Sequence, residues 1–350
     1  MATFPTIAET TKLQTPVGLP NRLFDSHGRV ISDLRVSITD RCNYKCVYCR
    51  TGEVGAQYAE LATEDYLRLI RVFVSLGIEK VRLTGGEPLL RRDLPEIVRE
   101  LSIWRTPDGK QLDIAITTNG HLLESLAAPL AAAGLHRVTV SMDAVDRATF
   151  ERVTRVPGSF EAVVRGIRAA QAAGLGPVKI NCVLLRGFND DQVEAFAHFA
   201  REQNVIVRFI EFMPLEEDRK WTPESVVPMS EIVARLNAVR PLVPLPASNP
   251  SETARRFTFA DGRGEIGIIA PVSQPFCGHC SRVRLTSDGM MRTCLFSQSD
   301  HDLVGLLRRG ASDDELRTRI RAVVHRKEAR HHIGEPGFRQ PSRSMVHIGG

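Results

Sequence analysis

The sequence predicts an α/β protein in which a parallel sheet with helical crossovers precedes a smaller, β-rich C-terminal module. Three observations support this fold class. Apolar runs of strand length alternate with helical patterns between about residues 30 and 212, proline-rich and polar segments follow from residue 214, and the later apolar runs are short and separated by turn residues. Six strand–helix units are two short of a closed eight-fold barrel, so an incomplete barrel and an open doubly wound sheet both satisfy the pattern.

Six segments have the length and the valine, isoleucine and threonine content of buried strands. They are residues 33–39, 80–84, 113–118, 137–142, 178–185 and 205–212. Strands joined by right-handed helical crossovers run parallel, so their carboxyl ends should meet at one edge of the sheet. Ligand-binding and reacting residues are expected at that edge.

Helical patterns lie between these strands. The first opens at Thr63, which we expect to be its N-cap, and ends at Gly77. The others cover 93–101, 125–134, 159–174 and 190–203, with Gly134 and Gly174 as C-terminal stop signals.

The organisation along the chain predicts four parts: an N-terminal extension (1–24), the α/β part (25–213), a C-terminal module (214–325) and a basic tail (326–350). Two hairpins are expected in the module, at about 255–269 and 281–296, the second turning at Ser287–Gly289. The tail has little apolar periodicity and is expected to be extended.

Composition favours a cytoplasmic enzyme without a membrane partner. The 350 residues are 43% hydrophobic and carry a formal net charge of +5, which suits an anionic substrate but is too diffuse to indicate nucleic-acid binding. No apolar run reaches the ~18 residues of a membrane span. Seven cysteines is an odd number, and the first twenty residues lack the pattern of a secretory signal, so a disulfide framework is not expected.

Three of the cysteines, Cys42, Cys46 and Cys49, form a C-x3-C-x2-C group directly after the first strand. Three thiolates can hold three irons of a four-iron cluster and leave the fourth iron open for a small ligand. A structural zinc ion, the alternative, requires a fourth ligand, and no cysteine or histidine follows closely enough to supply one.

Cys277, Cys280 and Cys294 form a second group with the spacing C-x2-C-x13-C, which predicts another cluster with an open iron. Zinc with His279 as the fourth ligand is the alternative. Arg282 and Arg284 share a strand face with Cys280, and guanidinium groups beside a metal centre suit an anionic ligand. The remaining cysteine, Cys182, lies in an apolar run and is expected in the core.

The first cysteine group resembles the signature of the radical S-adenosylmethionine (SAM) enzymes. The turn LTGGEP (83–88), after the second strand, strengthens this resemblance because a glycine-rich turn at that place binds SAM in the superfamily. Both cysteine spacings, the segments DLRVSITDRCNYKCVYC, ITTNG, SMDAVD and RFIEFMP, and the terminal Gly-Gly together resemble the GTP 3′,8-cyclase (MoaA) family of molybdenum cofactor biosynthesis.

This resemblance implies an incomplete (β/α)6 TIM-like barrel whose C-terminal module carries a second [4Fe-4S] cluster. By the same resemblance, each cysteine group holds one cluster. SAM binds the open iron of the first cluster, and GTP binds the open iron of the second. The positions that match SAM contacts are Tyr48, Gly86, Ser141, Met213 and, less closely, Asn119. Those that match GTP contacts are Arg35, Arg82, Thr117, Lys179, Arg282, Arg284 and, more weakly, Arg208. The implied catalytic positions are Arg282, Arg284, Gly349 and Gly350.

The implied reaction cleaves SAM reductively to methionine and a 5′-deoxyadenosyl radical, which removes hydrogen from ribose C3′ of GTP. The C3′ radical attacks guanine C8, and reduction then gives the 3′,8-cyclised dihydro-GTP. An electron donor of unknown identity, a homodimer and handover to cyclic pyranopterin monophosphate synthase are also implied, whereas no role follows for residues 1–21 or 214–222. Two other functions remain open at this stage: a peptide-modifying radical SAM enzyme with an auxiliary cluster, and a zinc-stabilised nucleic-acid-binding module that uses the basic tail.

Overall fold

A computed structural model describes residues 21–49 and 56–349, and it confirms the α/β fold class. In the first half, the strands are β1 (Leu23–Phe24), β2 (Val30–Ile31), β3 (Asp33–Ser37), β4 (Lys80–Thr84), β5 (Asp113–Thr118), β6 (Arg137–Ser141), β7 (Lys179–Leu184) and β8 (Ile206–Glu211). The helices between them are α1 (Thr63–Ser75), α2 (Leu94–Ile103), α3 (Leu123–Ala132), α4 (Arg147–Thr154), α5 (Ser159–Ala172) and α6 (Val193–Glu202).

The described part of the second half contains six strands and four α-helices. Its strands are β9 (Leu242–Leu245), β10 (Arg255–Phe259), β11 (Glu265–Ile269), β12 (Arg282–Leu285), β13 (Met290–Arg292) and β14 (His301–Asp302). Its helices are α7 (Met229–Val239), α8 (Val304–Arg308), α9 (Asp313–His325) and α10 (Met345–Ile348). The two predicted hairpins are present as the antiparallel pairs β10–β11 and β12–β13.

The sheet is continuous through both halves of the described chain. Its order is β14-β13-β12-β3-β4-β5-β6-β7-β8-β11-β10-β9, and the strands from β12 to β11 in this order are parallel. The six predicted strands form an unclosed barrel wall, and the C-terminal strands β12 and β11 extend it at opposite edges. The segment 270–281 therefore joins one edge to the other, and it carries Cys277 and Cys280.

The two faces of each central strand differ in chemistry, and this difference forms the interior. Leu34 and Val36 on β3 are fully buried in the core beneath the helices, whereas Arg35 between them lies on the opposite face. Helix α1 covers the apolar face with Leu69, Ile70 and Phe73. Cationic side chains at alternate strand positions thus point into the barrel instead of into solvent.

Two expectations about local structure were wrong. Thr63 is not the N-cap of α1: that position is Ala62, and the Thr63 hydroxyl donates to Asp93, an acceptor that comes from a later part of the chain. The C-terminal tail is not extended, since Val346 and Ile348 are buried in a short helix.

Within the part of the chain that the structure describes, no helix has both the length and the apolar character needed to cross a membrane.

Candidate active site

A single cavity of about 1150 Å³ lies inside the unclosed barrel. All six grouped cysteines and every residue matched above to SAM or GTP line its wall. Gly349 approaches from the C-terminal side, as described below, and Gly350 lies outside the described residues. The topology therefore brings together residues that are up to about 250 positions apart in the sequence.

The first cysteine group lies on a loop that packs tightly against the GGEP turn. A Cβ atom added to Gly85 would lie 2.2 Å from the Thr39 carbonyl oxygen, and one added to Gly86 would lie 2.2 Å from that of Arg41. The Gly86 amide donates to Thr39 O at 2.8 Å. Both glycines are therefore required by the close approach of the cysteine loop.

Glu87 in this turn fastens the ends of two neighbouring strands. It is fully buried, and its carboxylate accepts from the amides of Leu89 (2.9 Å) and Asn119 (2.6 Å) and from the Thr118 hydroxyl (2.7 Å). Burial raises the pKa of Glu87 to about 7, although these three hydrogen bonds oppose the shift.

We expect Glu87→Ala to lower the free energy of unfolding by roughly 2–4 kcal/mol, because it leaves buried donors without their acceptor. Urea unfolding of the metal-free protein measures this change. Glu124→Ala is the matched control: Glu124 is exposed and forms a surface ion pair with Arg165, so its loss should cost less than about 1 kcal/mol. Equal costs for the two variants would contradict the anchoring role of Glu87.

The second cysteine group is held by two buried cations that sequence reasoning missed. Arg29 in the β1–β2 turn pairs with Asp25 and donates to the carbonyl of Cys277 at 2.8 Å. Lys327 donates to the carbonyl of Thr293, next to Cys294. Burial raises the pKa of the Cys280 thiol, but the charges of Arg282 and Lys327 outweigh it and lower that pKa to about 6. The thiolate, which is the form that ligates metal, is thereby favoured.

Within residues 21–49 and 56–349, no set of three or more His, Cys, Asp or Glu side chains converges on one point where a single metal ion could sit. A four-iron cluster does not need such convergence, because each cysteine binds a different iron.

Three arginines from adjacent strands form a row across the cavity wall. Arg284 on β12 is the register partner of Arg35 on β3, which in turn is the partner of Arg82 on β4. Burial lowers the pKa of Arg35 and of Arg284, the latter to about 10, and neighbouring guanidinium groups add to this effect. Mutually repelling buried cations require an anion, because an unpaired buried charge is strongly unfavourable.

The hydrogen bonds of this wall leave some guanidinium donors without a partner. Arg82 donates to the hydroxyls of Thr117 at 3.1 Å and Thr139 at 3.3 Å, and Arg208 shares Thr139 at 3.3 Å. Among the described residues, the buried Nε atoms of Arg35, Arg82 and Arg208 have no hydrogen-bond partner. Such donors fit the oxygens of a polyphosphate.

Lys179 on β7 adds a titratable charge to the wall. Burial, reinforced by the nearby charge of Arg208, lowers the pKa of Lys179 to about 8. Its ammonium is therefore lost as the pH rises through that value.

We expect the affinity for GTP to fall between pH 7 and pH 8.5 as Lys179 loses its proton. A bound anion stabilises the charged lysine, so it moves this fall to higher pH. Titration calorimetry without reductant measures it. In Lys179→Arg the side chain stays charged over this range, so the affinity should be nearly constant. An unchanged pH dependence in that variant would contradict the assignment.

Two of the residues matched to SAM, Tyr48 and Asn119, lie near the first cysteine group. The Tyr48 hydroxyl donates to Asp143 at 2.7 Å, and the other Asp143 oxygen accepts from the Val183 amide at 2.8 Å. Burial raises the pKa of Asp143 to about 6. The Asn119 amide donates to the Asn43 side-chain oxygen at 2.7 Å. Ser141 and Met213 line the same cavity, and Met213 packs in a cluster that also contains Cys294.

The C-terminal tail reaches the arginine row. The Arg284 guanidinium donates to the carbonyl oxygens of Ile348, at 3.2 Å, and Gly349. Gly349 has φ +66°, and a Cβ atom there would lie 2.5 Å from the Thr84 methyl group. A glycine is thus required by conformation and by space at this position.

Sequence reasoning missed the residues that support the site. Besides Arg29 and Lys327, these are Thr139, Asp143 and Lys80, which pairs with Asp33 at 3.7 Å. Strand parity could have indicated Lys80, because it lies two residues before Arg82 and faces the same side. The supporting contacts of Arg29 and Asp143 connect distant segments, and no local pattern encodes them.

The fold and the site define a radical SAM enzyme. Residues 36–200 match the radical SAM superfamily, and residues 205–333 match the family described as Molybdenum Cofactor Synthesis C. A structure of Streptococcus suis SuiB bound to S-adenosylmethionine has the same fold, with a TM-score of 0.59 over 85% of this chain and 69% of that one, at 15% identity. This class uses an iron–sulfur cluster and SAM.

The chain belongs to the GTP 3′,8-cyclase family. It is 46% identical to the GTP 3′,8-cyclase of Acidothermus cellulolyticus over 310 residues, which cover 85% of this chain and 84% of that protein. It is 42% identical to that of Rhodopirellula baltica over 356 residues, covering 99% and 98%. The protein of Moorella thermoacetica is 43% identical over 93% of this chain and 99% of its own length.

Proposed function

We propose that this chain converts GTP into (8S)-3′,8-cyclo-7,8-dihydroguanosine 5′-triphosphate, the first step of molybdenum cofactor biosynthesis. Family membership gives the reaction class. The observation that carries the proposal is the row of buried guanidinium groups, with free donors, between two cysteine groups in one cavity. A nucleoside triphosphate supplies the anionic charge that this wall requires and the base that can reach the second cysteine group.

We also propose that both cysteine groups hold [4Fe-4S] clusters. Cys42, Cys46 and Cys49 would hold the first, and Cys277, Cys280 and Cys294 the second. The cysteines fit these groups because each set is three thiols on one loop or hairpin at the cavity wall. When bound, the reduced first cluster and SAM supply the radical that removes a hydrogen atom from the substrate.

The protein's own residues orient the substrate. Arg35, Arg82, Arg208 and Lys179 would bind the triphosphate, with Thr117 and Thr139 fixing the guanidinium planes. Arg282 and Arg284 would bind the part of GTP nearer the second cysteine group. SAM would be bound by Tyr48, Gly86, Asn119, Ser141 and Met213. The ribose of GTP would then lie next to SAM.

Burial contributes to the reaction by excluding water. Arg82 and Arg284 are buried, and Gly349 lies against Thr84 at the wall. A substrate held in this cavity is kept in one orientation and away from solvent, which favours cyclisation over competing reactions of a radical.

The wider assignments are part of the same proposal. The barrel (25–213), the module (214–325) and the tail (326–350) would act as one catalytic unit. Strands of the barrel and the module form one sheet, and the tail carbonyls of Ile348 and Gly349 accept from Arg284 of the module. A homodimer, a reductant for the clusters and transfer of the product to cyclic pyranopterin monophosphate synthase complete the expected context.

Anaerobic incubation with GTP, SAM and a reductant tests the proposal. The expected product has the mass of GTP but a different chromatographic retention, and it requires all three components. Iron and sulfide analysis should give about eight of each per chain, four per cluster. About two zinc ions per chain without iron, or unchanged GTP, would contradict the proposal and favour the nucleic-acid-binding alternative.

A further inference from the structure

One arginine of the C-terminal tail joins three distant segments. The Arg343 guanidinium donates to both oxygens of Asp288 at 3.0 and 2.8 Å and also to Asp300. Its flat face lies over the ring of Tyr58, 4.1 Å from the centroid. Asp288 belongs to the β12–β13 turn, whereas Tyr58 follows the first cysteine loop. With 7% of its surface exposed, Arg343 is the most completely paired cation of the tail segment 335–349.

Beyond Arg343, the described chain runs directly to the cavity. The Met345 amide donates to Leu215 O at 3.0 Å, and the His347 ring packs edge-on against Tyr58 at 5.2 Å. The carbonyls of Ile348 and Gly349 then accept from Arg284. The buried Arg284, whose pKa is lowered by burial, thus receives two acceptors from the tail.

We propose that Arg343 is a positioning residue that fastens the tail, and so places the carbonyls of Ile348 and Gly349 on Arg284. This inference rests on the proposed function for its catalytic consequence, but the fastening itself is independent of it. A guanidinium is required, because it must pair with two carboxylates and stack on an aromatic ring at once. A lysine ammonium can do only part of this.

Hydrogen exchange with mass spectrometry of the full chain tests the fastening in the absence of GTP and SAM. The amides of Met345 and His347 exchange only when the tail opens, so their exchange follows the population of open tail. We expect Arg343→Ala to raise the exchange of the C-terminal peptide about 100-fold, since removing one partner of a buried ion pair is strongly destabilising. Arg343→Lys should raise it about 10-fold.

Arg339→Ala is the matched control, because Arg339 lies in the same tail and is exposed. The C-terminal peptide of this variant should exchange at the parental rate. If Arg343→Ala fails to fold, the hydrogen exchange of Asp288→Asn is measured instead. Its C-terminal peptide should exchange about 10-fold faster than that of the parent, because the charged pair with Arg343 is lost. Exchange at the parental rate in folded Arg343→Ala, or in Asp288→Asn, overturns the proposal.

The catalytic consequence has a separate readout. With GTP, SAM and reductant, Arg343→Ala should retain SAM cleavage but form about 10-fold less cyclised product per SAM cleaved, while Arg339→Ala keeps the parental ratio. If the parent forms no cyclised product, the proposed function fails and the exchange data still decide the fastening. If exchange rises but the product ratio is unchanged, the positioning role on Arg284 is overturned.

Discussion

Replacing Cys277 with alanine is expected to abolish GTP cyclisation while SAM cleavage continues. The variant should lose the second cluster and retain about four irons per chain, since each cluster holds four. Without the second site, the guanine has no fixed position, and cyclisation should fall on the order of 1000-fold or more, because orientation contributes at least this much to an intramolecular reaction. Iron analysis, 5′-deoxyadenosine formation and product formation measure the three effects.

Cys182→Ala is the matched control for this substitution. Cys182 is buried on β7, outside both cysteine groups, and its thiol donates to the Asp143 carbonyl at 3.7 Å. This variant should keep about eight irons and the parental products. If Cys277→Ala cyclised GTP at the parental rate with one cluster, the role of the second cysteine group would be wrong.

Arg82→Met is expected to weaken GTP binding by about 100-fold, because hydrogen bonds to charged groups contribute roughly 1.5–3 kcal/mol and tenfold corresponds to about 1.4 kcal/mol. Methionine retains most of the buried volume, so the change isolates the guanidinium. Titration calorimetry with GTP, without reductant, gives the affinity. The loss should shrink when guanosine replaces GTP, since the phosphates are then absent.

Arg137→Met provides the control for a cation on the same wall. Arg137 pairs with Asp113, and about a third of its side chain is exposed, so its charge is already neutralised and solvated. Its replacement should change GTP affinity less than about 5-fold, as for exposed ion pairs. An equal effect of both substitutions would show that the wall acts only through its net charge, and the assigned contact of Arg82 would be wrong.

The sequence predicted the parallel part of the fold nearly to the residue. Strands β4 and β5 have the predicted bounds, because each is a β-branched run with turn or loop residues on both sides. The C-terminal half was harder. Helix α9 was not predicted, because its sequence is polar and its buried Leu316, Ile320 and Val323 are separated by charged residues.

The joining of β11 and β12 to opposite edges of the barrel wall was also beyond local patterns. It depends on the pairing of Arg284 with Arg35 and of Gly267 with Arg208, which are contacts between residues far apart in the sequence. The β-propensity of a segment predicts that it forms a strand, but not which strand it pairs with.

The residues that the sequence proposed for the site belong to short motifs. The cysteine spacings, the GGEP turn and the alternate arginines of β12 are local, and the structure places them in one cavity. The support of these residues is non-local. Arg29 contacts a carbonyl 248 positions away, and Arg343 contacts a carboxylate 55 positions away. Only the folded chain brings such partners together.

The central claim is that this chain forms the C3′–C8 bond of GTP with a hydrogen atom taken from C3′. GTP deuterated at C3′ tests it most directly, by mass analysis of both products after anaerobic reaction with SAM and reductant. The account predicts one deuterium in 5′-deoxyadenosine and a cyclised triphosphate without it. Unlabelled 5′-deoxyadenosine together with unchanged deuterated GTP would contradict it.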